Sequence, residues 1–113
     1  MTEQELIEMI LDQTNAYVSL PFNKPDRPDQ IKWYVLKHHH NDKILAMVYT
    51  KDQELSLNLK LQPELNAELQ LLKGVLPGYH MNKRHWVTIM VNNTELSRDE
   101  LLKAVAMSAD LTL

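Results

Sequence analysis

The sequence predicts an α+β domain in two layers, an antiparallel sheet with helices packed on one face. Two stretches, Thr2-Glu3-Gln4-Glu5 and Ser97-Arg98-Asp99-Glu100, have the capping-box pattern and open amphipathic segments near the two ends of the chain. Between them Leu55, Leu57, Leu59 and Leu61 alternate with Ser56, Asn58 and Lys60, the period-two pattern of a strand. Apolar runs at 31–36 and 44–49 and the leucine strand are joined by turn residues in stretches too short for a parallel crossover, and a further apolar run lies at 86–91. The expected order is a helix, three strands, a helix, one or two strands and a helix, in full α-β-β-β-α-β-β-α.

Each element has a local reason. In the first helix, expected over 3–16, Leu6, Ile7, Ile10 and Leu11 recur at helical spacing while Glu3, Glu8 and Asp12 form a solvated face. Pro21, Pro25 and Pro28 remove donors and fix φ, so 21–29 reads as a loop. Ile31 to Leu36 and Ile44 to Tyr49 read as a hairpin whose turn holds His38, His39, His40, Asn41 and Asp42. Lys51-Asp52-Gln53 turns the chain into the alternating leucine strand, for which one buried and one wet face is expected. Pro63 suits the first turn of a helix over 64–73, with Leu65, Leu69 and Leu72 inward and Gly74 as its stop. A strand at 86–91 ends at an Asn92-Asn93 turn, and Leu101, Leu102 and Val105 face inward from a last helix over 97–108. The tail from Ala109 onward carries no pattern.

A chain of 113 residues and 44% apolar content fits one domain, 1–113, with a real core. There is no cysteine, hence no disulfide framework and no thiolate ligand or nucleophile. No apolar run approaches the roughly 18 residues of a membrane span, and the acidic N-terminus lacks a signal-peptide pattern. A cytoplasmic protein without a membrane partner is expected. The net charge of −3 is unevenly spread. Residues 1–30 carry two bases and six acids, whereas 31–62 carry five bases and three acids, and 77–92 two bases and no acid. Expected strands and turns are therefore basic, and expected helices acidic.

The stretch Pro77-Gly78-Tyr79-His80-Met81-Asn82-Lys83-Arg84-His85-Trp86 combines a turn dipeptide, several rings and two adjacent cations. Gly78 is expected to take φ > 0, Tyr79 and Trp86 to pack inward, and Lys83 and Arg84 to point to solvent. The string resembles the signature of the MmcQ/YjbR family of small bacterial proteins. Lys43 to Val48 looks like that family's second strand, Leu57 to Lys60 like its third, and Pro63-Glu64-Leu65 like the start of its middle helix, so the likeness covers nearly the whole chain. His38-His39-His40-Asn41-Asp42 departs from it, standing where relatives often carry a short glycine-containing turn. The resemblance implies a two-layer fold related to that of secretion chaperones. Some relatives have been likened to the double-wing fold of a phage transcription factor, in which sheet hairpins approach DNA.

His38 and His40 on one strand face would offer two nitrogen ligands, short of the three or four that zinc requires, so a solvent-exposed turn is the favoured reading and no metal is expected. His80 and His85 titrate in the right range for acid–base work, but no nucleophile or paired carboxylate accompanies them. Two glycines cannot make a phosphate-cradling loop, so neither an enzyme nor a cofactor is expected. Two non-catalytic classes remain. One is DNA binding, with phosphate contacts from Lys32, Lys37, Lys43, Lys51, Lys60, Lys83 and Arg84. The other is a module binding a protein or small ligand at the signature turn, on secretion-chaperone-like architecture.

Overall fold

The computed structural model describes residues 1–24, 26–27 and 30–113. Along the chain run α1 (Glu3–Gln13), β1 (Ala16–Ser19), β2 (Tyr34–His38), β3 (Ile44–Lys51), β4 (Glu54–Lys60), α2 (Pro63–Leu69), β5 (Val75–Pro77), β6 (Trp86–Met90) and α3 (Arg98–Leu111). The strands form a single sheet in the order β1-β2-β3-β4-β6-β5, with every neighbouring pair antiparallel. Leu6 and Ile10 of α1 and Leu101 and Val105 of α3 bury against Val48, Leu57, Val87 and Ile89 on one face of that sheet. The α+β two-layer expectation therefore holds, with one more strand than the sequence pattern gave.

The extra strand comes from the end of α1. The helix stops at Gln13 rather than at 16: Thr14 makes the last helical bond to the Ile10 carbonyl, adds its hydroxyl to the same oxygen, and is itself extended. Ala16 to Ser19 then pair with Val35 to His38. At the helix start the expected capping box forms in full, between Thr2 and Glu5, and a second forms between Ser97 and Glu100. Such caps stabilise a helix by about 1 kcal/mol each.

Other boundaries shift for equally local reasons. β2 begins at Tyr34, not Ile31, because the Asn23 side chain takes the groups a ladder would use. Its amide donates to the Ile31 carbonyl (2.7 Å) and its oxygen accepts from Trp33 N–H (2.8 Å). Of the proline-rich loop, Pro25, Pro28 and Asp29 lie outside the described residues. β2 continues to His38, so only part of the histidine run lies in the turn. The turn between β3 and β4 has Asp52 and Gln53 both at positive φ, the mirror-image geometry that matches strand twist. α2 ends at Leu69, short of 73, and the chain passes through turns to Gly74, whose φ of 78° only glycine adopts freely. α3 runs on to Leu111, three residues beyond the expected end.

One expectation about the sheet is overturned. Ser56 and Asn58 were to lie on a wet face of β4, yet both are buried. The face turned away from the helices is partly roofed by Phe22 and Trp33 from the chain ahead of β2 and by the loop 78–85. Those two segments make the candidate site.

Candidate functional site

The roofed face of the sheet is reached by alternation. Leu57, Leu59, Val87 and Ile89 face the helices, which turns Asn58, Lys60, Trp86 and Thr88 to the other side. On the neighbouring strand Tyr49 and Lys51 point the same way. At the centre lies Asn58, fully buried. Its Oδ1 accepts from Tyr49 Oη (2.9 Å) and Thr88 Oγ1 (2.7 Å), and its Nδ2 donates to the Tyr79 carbonyl (3.0 Å). Tyr79 N–H in turn donates to Thr88 Oγ1 (2.8 Å). Both backbone groups of Tyr79 are thus gripped by the sheet, which fixes the signature loop over it. Burial, the largest cause, pushes the Tyr49 phenol above its ordinary pKa, against the pull of its hydrogen bonds.

The far end of the loop is held by α2. Asn66, also buried, donates from Nδ2 to the Arg84 carbonyl (3.0 Å) and more weakly to that of Lys83 (3.5 Å). Gln70 Nε2 donates to Asn66 Oδ1, and Leu61 N–H to the His85 carbonyl (2.8 Å). Inside the loop Asn82 Oδ1 accepts from Arg84 N–H (2.9 Å), and its carbonyl accepts from Trp86 N–H (2.9 Å). Pro77 closes β5 and Trp86 opens β6, with Gly78 N–H donating to the Trp86 carbonyl (3.0 Å), so the whole stretch is a long hairpin connection.

The reason for glycine at 78 differs from the expected one. The positive φ in this loop belongs to His80, at 58°, and not to Gly78. Gly78 is required by space: a Cβ there would lie 2.7 Å from both Cβ and the carbonyl oxygen of Trp86. Trp86 is buried, as expected, and Tyr79 half-buried. His80 stays exposed, while Met81 and His85 are half-buried and Asn82 is exposed. Lys83 and Arg84 are exposed too, although the Lys83 ammonium turns back to the Gly78 carbonyl (2.9 Å).

Rings assemble around Tyr79. Trp33 lies 4.3 Å from Tyr49, 5.7 Å from Tyr79 in a near-parallel stack and 5.8 Å from His80 between centroids. Lys51 Nζ stands 4.6 Å from the Tyr79 ring centroid, within cation–π range. Two clefts flank this cluster. One of about 470 Å³ is lined by Tyr49, Lys51, Asp52, Glu54, Tyr79 and Lys83 among others. The other, of about 300 Å³, is lined by Phe22, Trp33, Met47, His80 and Met81.

Of the seven cations singled out, the structure turns Lys37, Lys51 and Lys60 to the roofed face and adds Lys83 from the loop beside Lys51. Lys37 lies between Leu36 and His38, whose side chains point to the helices. Lys43, in the β2–β3 turn, and Lys32, ahead of β2, are exposed at the margins, and Arg84 is exposed near α2. Among the described residues the only ion pair joins Lys51 to Asp52 (3.4 Å). The acids of α1, namely Glu3, Glu5, Glu8 and Asp12, belong to the opposite layer.

The histidine run divides. His38 is buried, its Nε2 within 2.8 Å of Thr112 Oγ1 and 3.1 Å of the Ala109 carbonyl, so it latches α3 to β2. The patternless tail is therefore half of a buried contact. His39 lies against Tyr17, and the His38 and His40 rings are 5.3 Å apart. Among the described residues no three His, Asp or Glu side chains gather to hold a metal. Trp33, Tyr49, Asn58, Asn66 and Thr88 were not anticipated as parts of the site. A buried-face signal existed only for Asn58, an amide in the middle of a leucine strand, where asparagine is disfavoured.

The YjbR family profile matches residues 4–111. The chain belongs to the YjbR family. Its fold agrees with solved YjbR-like structures: a crystal structure from Pseudomonas syringae is 30% identical, covers 100% of both chains and gives a TM-score of 0.83. A crystal structure of a Deinococcus radiodurans protein with domain DUF419 is 25% identical, covers 97% of this chain and 77% of that one, and gives 0.73. YyaQ of Bacillus subtilis strain 168, described as uncharacterised, is 39% identical over 56 residues, 50% of this chain and 47% of YyaQ. That match spans about half of either protein. Among the described residues of this YjbR-family chain, no helix is long and apolar enough to cross a membrane.

Proposed function

We propose that this YjbR-family protein binds DNA, without catalysis, through the roofed face of its sheet. The observation that carries the reading is the division of charge between the two layers. Lys37, Lys51, Lys60 and Lys83 share the side facing away from the helices, where Glu54 is the one strand acid among the described residues, while α1 holds four acids and no base. A polyanion is drawn to one side and repelled from the other, which orients the encounter as well as favouring it. Most of these ammonium groups have no carboxylate partner among the described residues, so contact with phosphate breaks few existing ion pairs.

Contacts of this kind read the backbone and position the protein without specifying sequence. Binding should weaken steeply with salt, each phosphate contact contributing about −0.9 to the slope of log K against log salt on duplex DNA. The test is a fluorescence-anisotropy titration of labelled DNA at low and moderate salt. Lys60→Ala and Arg84→Ala should each reduce the slope by roughly one unit without changing sequence preference. Lys83→Ala should do the same, with an added effect on the loop because its ammonium holds the Gly78 carbonyl. Absence of binding at low salt would turn the reading to a small-ligand or protein-binding module, for which the 470 Å³ cleft beside Tyr79 is the place to look.

A further inference from the structure

We infer that the cleft formed by Phe22, Trp33, Met47, His80 and Met81 takes one unpaired nucleobase, so that the protein prefers single-stranded to duplex DNA. The inference rests on the DNA-binding reading and deepens it by naming the form of the ligand.

Its first support is the chemistry of the walls. Three of the five lining side chains are rings and two are methionines, and none is an acid. Flat π-faces with polarizable sulfur beside them suit a heteroaromatic ring, which stacks irrespective of its identity. Trp33 is held from behind by Tyr49 and Tyr79, at 4.3 and 5.7 Å, so its ring is already in place before any ligand arrives. Phe22 is 56% exposed, a large apolar ring left in water at the cleft. His80 keeps its exposed position through a left-handed backbone (φ 58°), which histidine adopts far less readily than glycine.

The second support is charge around a neutral pocket. Lys32 directly precedes Trp33, and Lys51 sits over the Tyr79 ring, which stacks on Trp33 and lies tilted against His80. A nucleotide in a strand brings one neutral base and a phosphate on either side, which matches a ring-lined cleft with cations at its margins. A purely apolar ligand would have no use for those cations. Size also discriminates. About 300 Å³ lies at the low end of the ~300–1,000 Å³ range of ligand sites, enough for a base and too little for a helix or a lipid chain bundle. Phe22 and Trp33 line the cleft from one segment and His80 and Met81 from another, with Met47 of the sheet between them, so a base must leave its stack to enter. Paired bases of a duplex cannot do so without unpairing.

The experiment compares three labelled probes by anisotropy at one low salt concentration: a single strand of about 12 nucleotides, within the site sizes of single-strand binders, the same strand with abasic sites throughout, and the duplex. The single strand should bind about tenfold more tightly than either of the others. Phe22→Ala, at an exposed ring, should weaken single-strand binding roughly fivefold or more and leave the abasic strand and duplex unchanged. Trp33→Ala should do the same more strongly, but it also removes packing on Tyr49, so Phe22→Ala is the deciding variant. Equal affinity for single and abasic strands, or indifference to Phe22→Ala, overturns the base-binding cleft while leaving DNA binding intact. Failure of all three probes to bind overturns both.

Discussion

Asn58 offers the sharpest test of how the site is built. Replacing it with alanine deletes two accepted hydrogen bonds, from Tyr49 and Thr88, and one donated bond, to the Tyr79 carbonyl. A typical net contribution is about 1 kcal/mol per bond, and a buried carbonyl left without a partner costs about 1–3 kcal/mol. Tyr49 Oη retains only a long contact to Thr88 (3.5 Å), so little of the loss is recovered locally. Asn58→Ala should therefore destabilise by about 3–4 kcal/mol, a large part of the ~5–15 kcal/mol available to a domain. At roughly 4 °C per kcal/mol for this chain length, Tm should fall by roughly 12–16 °C. Urea unfolding followed by circular dichroism gives the free energy, and hydrogen exchange at Tyr79 N–H reports whether the loop has come loose. Ser56→Ala is the milder comparison, since that hydroxyl donates to the Glu54 carbonyl two residues away (3.2 Å) and touches the network only weakly, as the last of the hydrogen bonds acting on the Tyr49 phenol. Its effect should stay below ~1 kcal/mol. If Asn58→Ala matched Ser56→Ala, or Tyr79 exchange did not accelerate, the buried network would not be what fixes the loop.

Gly78→Ala should destabilise by more than about 2 kcal/mol because its Cβ overlaps Trp86, and thermal melts showing a neutral effect would contradict the close approach. His80→Gly should be neutral or stabilising within about 1 kcal/mol, since glycine accepts the left-handed backbone that histidine strains to adopt; a loss beyond that in the same melts would assign the imidazole a structural contact. His38→Ala should cost about 2–3 kcal/mol and speed hydrogen exchange over 109–112, where its ring now holds Thr112 and Ala109; unchanged exchange there would dismiss the latch. The carboxyls of Glu5 and Glu100 are held below their ordinary value of 4.5, first by hydrogen bonding to the backbone of Thr2 and Ser97. A lowered folded-state pKa contributes stability that is present above 4.5 and lost as pH falls through the folded value. Urea midpoints should accordingly drop below that pH, and a Glu5→Gln/Glu100→Gln variant should show a flatter acid limb.

What could be read from the residues was mostly what is local. The capping boxes at Thr2 and Ser97 need only four residues each, and both form. The leucine alternation gave β4 and its helix-facing side, because period two is a property of one strand alone. Its other side could not be read, since whether Ser56 and Asn58 are wet depends on a loop twenty residues away folding back over them. Asparagine at 58 was the available hint, a poor strand former placed where an apolar or hydroxyl side chain would do better. The signature stretch forms the loop expected of it, but the positive φ falls two residues later, at His80. A turn dipeptide suggests positive φ, whereas here the constraint is a Trp86 side chain packed against the backbone, a contact between strands that turn chemistry does not encode. His38 shows the same limit at longer range. Beside two other histidines it resembles a polar turn, and only the return of α3 to Thr112 makes it a buried acceptor or donor. β1 was missed because the N-terminal helical pattern ran into it without a glycine or proline stop.

The measurement that bears most directly on the functional reading is amide chemical-shift mapping by NMR as single-stranded DNA is added at low salt. Shifts should concentrate at Lys37, Lys51, Lys60, Tyr79, His80, Lys83 and the Trp33 indole, and fade together as salt is raised. The α1 and α3 amides, on the acidic layer, should hardly move. Shifts centred on α1 and α3, or none at any salt, would contradict a nucleic-acid surface on the roofed face of the sheet.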